Sequence, residues 1–260
     1  MQLNDKMAGD KVAGKVTVVT GGGSGFGAAF ARGFGLAGAR VVVADMNATT
    51  GEAVTSAIVA DGGQASFVRA DVSQSADVAA LMQAAVDRYD GIDVVLNNAG
   101  MVTPKTVVAD QSVEEFDRVM AVNVRSVFLG AKYAAPIMQR NGGGVIINTA
   151  STAALKPRPL NAIYATSKAA VLTLTKALAA ELAPQRIRVN ALSPVAADTP
   201  LLRNFIGNDH EAVERIAAAI PLERLCHPDD MVACALFLAS DEASFLTGVN
   251  LPVDGGWTTI

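Results

Sequence analysis

KVTVVTGGGSGFGAAFARGF, residues 15–34, decides how this chain folds. A β-branched run ends in a glycine-rich turn, and a helical pattern follows without a linker. Thr20, Gly21, Gly25 and Gly27 fall in the pattern T-G-x-x-x-G-x-G. Between a strand and a helix, such glycines let the backbone turn sharply and let a pyrophosphate approach the helix N-terminus. A hydrolase elbow, G-x-S-x-G around Ser24, is excluded because its second glycine would have to be residue 26, which is Phe26.

The same unit recurs along the chain. RVVVAD (40–45) leads into a helical pattern, SFVRAD (66–71) precedes a helix near 75–89, and IDVVLNNAG (92–100) precedes one near 112–139. GVIINTAS (144–151) precedes a helix over 161–183, with Asn161 as its cap and Pro184 as its stop. RIRVNALSP (186–194) is a sixth strand, and a helix near 228–239 and a strand near 249–253 close the chain. Runs such as VVVA and VVL lack polar alternation, as strands covered on both faces do. The expected fold is α/β: a doubly wound, Rossmann-like parallel sheet of about seven strands flanked by helices, one domain over residues 1–260. Residues 195–222 break the rhythm with Pro200, Pro221 and GNDHEAVER, and are expected to form a substrate loop with one or two short helices.

Asp45 ends the second strand, twenty residues after Gly25. A carboxylate there accepts hydrogen bonds from both hydroxyls of an adenosine ribose and repels a 2′-phosphate. No arginine or lysine lies within 20–31 or 41–50 to hold such a phosphate, so the expected cofactor is NAD rather than NADP.

Composition narrows the alternatives. The 260 residues are 51% apolar, carry a net charge of -4 and contain no basic run, which argues against nucleic acid as a partner. Cys226 and Cys234, with only two histidines, make neither a disulfide framework nor a metal site. AAVLTLTKALAAELA is interrupted by Lys176 and Glu181 and reads as a buried helix rather than a membrane span. With no apolar stretch at the N-terminus, a cytoplasmic location is expected.

Tyr164 and Lys168 are one helical turn apart and rise from one face. Two unit charges ~5 Å apart at an effective dielectric of ~20 interact by about 3 kcal/mol, roughly two pKa units, enough to move a phenol from ~10 toward ~8. An oxidised nicotinamide would add a second positive charge. A phenol so shifted can exchange protons near neutral pH.

Together these residues are similar to those of the short-chain dehydrogenases/reductases, single-domain branch, over essentially the full length. The matching elements are TGGGSGFG at 20–27, Asp45, Asp71-Val72, NNAG at 97–100, Asn123, Ser151, Tyr164-x-x-x-Lys168 and VDGG at 253–256. The resemblance implies a catalytic tetrad of Asn123, Ser151, Tyr164 and Lys168. Tyr164 would act as base in alcohol oxidation and as acid in the reverse direction, with Ser151 bonding the reacting oxygen and Asn123 holding a water that links Lys168 to solvent. It implies a cofactor site built from Gly21, Ser24, Gly25, Phe26, Gly27, Asp45, Met46, Asp71, Val72, Asn98, Ala99 and Gly100, together with Tyr164 and Lys168. Pro194, Ala197 and Thr199 would cover the nicotinamide, although Val195 stands where many relatives have glycine. It further implies a homotetramer and an alcohol or ketone substrate: a sugar hydroxyl first, a 3-hydroxyacyl thioester or a cyclic alcohol otherwise. The alternative is a catalytically silent NAD-binding scaffold. His210 and His227 are expected at the surface or pocket wall and Trp257 at an interface. Lys156 and Arg158 are either solvated loop charges or contacts to an anionic or polyhydroxylated substrate.

Overall fold

A computed structural model of the chain describes residues 11–197, 199, 202 and 209–260. Seven strands form one sheet in the order β3-β2-β1-β4-β5-β6-β7, and every neighbouring pair is parallel. They are β1 (Val16–Thr20), β2 (Arg40–Asp45), β3 (Gln64–Arg69), β4 (Val94–Asn97), β5 (Gly144–Thr149), β6 (Ile187–Pro194) and β7 (Asn250–Val253). Parallel neighbours require crossovers, and helices supply them. They are α1 (Gly25–Leu36), α2 (Ala48–Ala60), α3 (Ser75–Tyr89), α4 (Val113–Met120), α5 (Ser126–Arg140), α6 (Ala162–Leu182), α7 (His210–Ala218) and α8 (Pro228–Ala239).

Both faces of the sheet are covered, which explains the unbroken apolar runs. On one face Val19, Val41 and Val43 pack with Phe30 and Phe34 of α1 and Met231 and Leu236 of α8. On the other, Val18, Val42 and Val95 pack with Leu81 and Met82 of α3, Leu129 and Met138 of α5, and Leu178 of α6. Strand order reverses between β1 and β4, so the crevice beyond their carboxyl ends is the natural ligand position in such a sheet.

Three local departures from expectation matter for that crevice. Pairing along the whole of β2, from Arg40 with Gln64 to Asp45 with Arg69, starts β3 two residues earlier than expected. Asp71 therefore lies beyond the strand end. Strand β4 stops at Asn97, so Asn98, Ala99 and Gly100 also leave the sheet. The helix expected over 112–139 is interrupted by a π-helical turn, Ala121–Arg125, centred on Asn123. The α6 helix begins after Asn161 as expected, but the Asn161 side chain makes no capping hydrogen bond.

Candidate active site

The glycine turn is shaped by close approach. Gly21 adopts φ +63°, and a Cβ there would lie 2.9 Å from Cα of Ala99. At Gly27 a Cβ would fall 1.9 Å from the Gly21 carbonyl oxygen, so α1 can close onto the turn only with glycine at that position. Asn98 fastens the turn to β4: its Nδ2 donates to the Thr20 carbonyl at 3.1 Å and its backbone N–H to Thr20 Oγ1 at 3.0 Å. Asp45 is held at the end of β2, its two carboxylate oxygens accepting from the backbone N–H groups of Gly23 and Asn47, each at 2.9 Å.

A cleft of roughly 670 Å³ opens above these residues. Of the cofactor positions named from the sequence, Gly21, Ser24, Gly25, Phe26, Asp45, Met46, Asp71, Val72, Asn98, Ala99, Gly100, Tyr164, Lys168, Pro194 and Thr199 line it. Gly27 does not, since its role is packing against Gly21, and Ala197 faces a neighbouring pocket instead. Arg118, Met101 and Thr149 line the cleft as well. Sequence reading passed them over because no motif marks them.

The four candidate catalytic residues come from three places: the π-helical turn, the end of β5 and α6. Ser151 follows β5, and its Oγ accepts from the backbone N–H of Ala153 at 3.1 Å. Tyr164 and Lys168 share a face of α6, with the lysine Nζ 5.8 Å from the tyrosine ring centroid. Lys168 is 4% exposed, and its Nζ donates to the Thr149 carbonyl at 2.7 Å. Asn123 is fully buried; its Oδ1 accepts from Met101 N at 2.8 Å, and its Nδ2 donates to the Met101 carbonyl at 2.9 Å and to Ser167 Oγ at 3.0 Å. With both ends of the amide engaged, the Asn123 side chain ties the segment after Gly100 to the π-helical turn and to α6.

The comparisons bear on this geometry. A profile of the family described as enoyl-(acyl carrier protein) reductase matches residues 21–258. The chain is 44% identical to 4-formylbenzenesulfonate dehydrogenase of Comamonas testosteroni over 93% of this chain and 97% of that protein. This chain belongs to the short-chain dehydrogenase/reductase family. It is 39% identical to 2,5-dichloro-2,5-cyclohexadiene-1,4-diol dehydrogenase of Sphingobium indicum, over 96% of this chain and 98% of that one. The crystal structure of 3-ketoacyl-(acyl-carrier-protein) reductase from Brucella melitensis complexed with NADH superposes with a TM-score of 0.89. Its identity is 43%, covering 95% of this chain and 99% of that chain.

In this short-chain dehydrogenase/reductase the electrostatics differ from the Coulomb expectation. Burial raises the Tyr164 phenol above its ordinary value, and the hydrogen bond with Ser151 pulls it back only in part. Lys168 is itself lowered by burial to about 8. The expectation counted attraction between charges and left out the cost of removing both groups from water, and in the protein alone that cost prevails. Tyr164 is therefore the neutral phenol, and a proton donor, at neutral pH.

Beside the cleft lies a second pocket of about 280 Å³. Phe26, Tyr164, Pro194 and Thr199 line both cavities, which places Tyr164 at their junction. Trp257, expected at an interface, lines this second pocket, as do Lys156 and Arg158. His227 is excluded from the chemistry: it caps α8, its N–H bonded to Asp230 at 2.8 Å and its ring accepting from Asp229 N at 3.3 Å. The side chain of His210 and most of 198–208 lie outside the described positions. Val195 avoids the left-handed region altogether and donates its N–H to the Val253 carbonyl at 3.3 Å.

Two features beneath the site escaped the sequence. Asn97 Nδ2 donates to Asn148 Oδ1, and Asn148 Nδ2 to Thr175 Oγ1, both at 2.9 Å. This buried chain ties β4, β5 and α6 together and so fixes the height of α6 against the strand ends.

Proposed function

We propose that this protein is an NAD-dependent dehydrogenase that interconverts a cyclic secondary alcohol and its ketone. The observation that carries the reading is Tyr164 at the junction of a nucleotide-sized cleft and a smaller, mostly apolar pocket. The cleft fits NAD: the α1 N-terminus opens onto it, and the Asp45 carboxylate is fixed at its lip by two backbone N–H groups. NAD supplies the hydride acceptor or donor. The chain supplies the proton and the positioning. Tyr164 gives its proton to the carbonyl oxygen during reduction and receives it from the alcohol during oxidation. Ser151 bonds the same oxygen as charge develops on it. Lys168, anchored on the Thr149 carbonyl, holds a positive charge beside the phenol and stabilises its anion.

Among the substrate classes open from the sequence, a cyclic alcohol fits better than a sugar. Val102, Ala153, Pro159, Ile216, Ile220 and Trp257 offer the apolar contact that a carbon ring fills. Two relatives are named for compounds built on six-membered rings. A panel of cyclic alcohols, sugars and 3-hydroxyacyl thioesters assayed for NAD reduction tests this; turnover of sugars alone would overturn it. With NADP in place of NAD, kcat/KM is expected to fall by about 100-fold, and Asp45→Ala to close most of that gap by removing the charge opposed to a 2′-phosphate. Equal discrimination in the variant would sink the Asp45 assignment.

Residues 1–260 act as one catalytic domain, with 195–222 as its substrate loop, and the setting is cytoplasmic. The assembly is a homotetramer. Phe116 on α4 and Phe128 on α5 are 42% and 46% exposed, and Phe245 beside β7 is fully exposed, giving two apolar faces for subunits to cover. Light scattering should return four times the chain mass of 26.7 kDa; a monomer at micromolar concentration would refute it.

A further inference from the structure

We infer that the substrate carries an anionic group on its ring, and that Arg158, held over the Trp257 indole, binds that group. This deepens the function proposed above and depends on it for the reacting end of the substrate. The pocket has opposite chemistry at its two ends. Tyr164, shared with the cofactor cleft, and Ser151 mark the reacting end, and apolar residues make much of the walls. Lys105, Lys156 and Arg158 stand among the lining, with no aspartate or glutamate among the described lining residues.

The Arg158 guanidinium carbon lies 4.4 Å from the Trp257 ring centroid, and the Lys156 Nζ lies 4.7 Å from the same centroid. Lys156 is already engaged, donating to the backbone oxygen of Ile260. Lys105 also has a partner. Arg158 is exposed and donates to no described residue, so its contact with the protein is the indole. A guanidinium held over an indole by cation–π attraction keeps its N–H groups free, and their in-plane fork matches a carboxylate or sulfonate. Two cations on one indole repel each other, and a bound anion offsets that repulsion. The exposed rim is accessible to solvent, so the gain is modest and weakens with salt.

Trp257 is the only tryptophan in the chain, so its fluorescence reports on this pocket alone. The experiment titrates the NAD-bound protein with cyclohexanecarboxylate and with the neutral cyclohexanecarboxamide at low ionic strength. The carboxylate should bind about tenfold more tightly, with the preference shrinking at high salt. Arg158→Gln should bring the two ligands to equal affinity, and Arg158→Lys should keep part of the preference. Equal affinities in the wild type, or an undiminished preference in Arg158→Gln, would overturn the inference.

Turnover of 4-hydroxycyclohexanecarboxylate and of its amide then separates the two readings. If neither alcohol is oxidised while the Arg158-dependent preference stands, the reaction assignment fails and the anion site holds. If both are oxidised with equal kcat/KM, the reaction holds and the anion site fails.

Discussion

Tyr164→Phe should lower kcat for alcohol oxidation by ~10³-fold while leaving the dissociation constant for NAD within about twofold of wild type. The substitution removes one oxygen and keeps the ring, so the wall shared by the two cavities persists. What disappears is the phenol, proposed as the group that exchanges a proton with the reacting oxygen. The other described residues shared by the two cavities, Phe26, Pro194 and Thr199, offer no acid or base of comparable strength. The pH dependence makes the test specific. Burial raises the Tyr164 phenol, so the fraction of phenolate available as base is small at pH 7 and grows with alkalinity. Oxidation by the wild type should therefore accelerate from pH 7 to pH 9, whereas ketone reduction, which uses the protonated phenol, should not. Residual oxidation by Tyr164→Phe should lack that slope. A variant with near-normal kcat, or one that keeps the wild-type pH slope, would remove Tyr164 from the acid–base role.

The distinction between what sequence spacing conveys and what burial decides is clearest at this residue. The i, i+4 spacing placed Tyr164 and Lys168 on one face because helix geometry alone fixes that relation. The sign of the Tyr164 shift was not accessible, because it depends on how much water the surrounding elements exclude. The same division runs through the fold. Alternating apolar runs and glycine turns conveyed the parallel sheet, since each run had to be covered on both faces. The end of β3 shifted because pairing with β2, a partner distant in sequence, sets its register. The glycine turn was legible for a steric reason, whereas the Asn97–Asn148–Thr175 chain joins residues that no motif connects. Asn123 came from a motif, whereas the bonds of its side chain to Met101 and Ser167 arise where the π-helical turn meets segments distant in sequence. Trp257 was placed at an interface because a terminal aromatic gives no hint of the pocket wall to which the last strand returns it.

Lys168→Met should abolish turnover and, measured without cofactor, change thermal stability in a pH-dependent way. The folded-state value of about 8 lies below the ordinary lysine value of 10.5. Below pH 8 the lysine is protonated in both folded and unfolded chains, and the folded protein bears the full cost of burying the charge. Between pH 8 and pH 10.5 the unfolded chain holds more protons than the folded one, so wild-type stability gains as pH rises through that window. Methionine fills the space without a charge and has no such dependence, but it forfeits the hydrogen bond to the Thr149 carbonyl. The contribution that methionine removes is thus an unfavourable one near pH 7 and fades by pH 10. The Tm of the variant relative to wild type should fall by roughly 5 °C between pH 7 and pH 10, since a domain of this size shifts by a few degrees per kcal/mol. Parallel Tm profiles across that range would show that Lys168 carries no burial penalty. The charge beside Tyr164 would then have to be held by something other than the balance between burial and the Thr149 carbonyl.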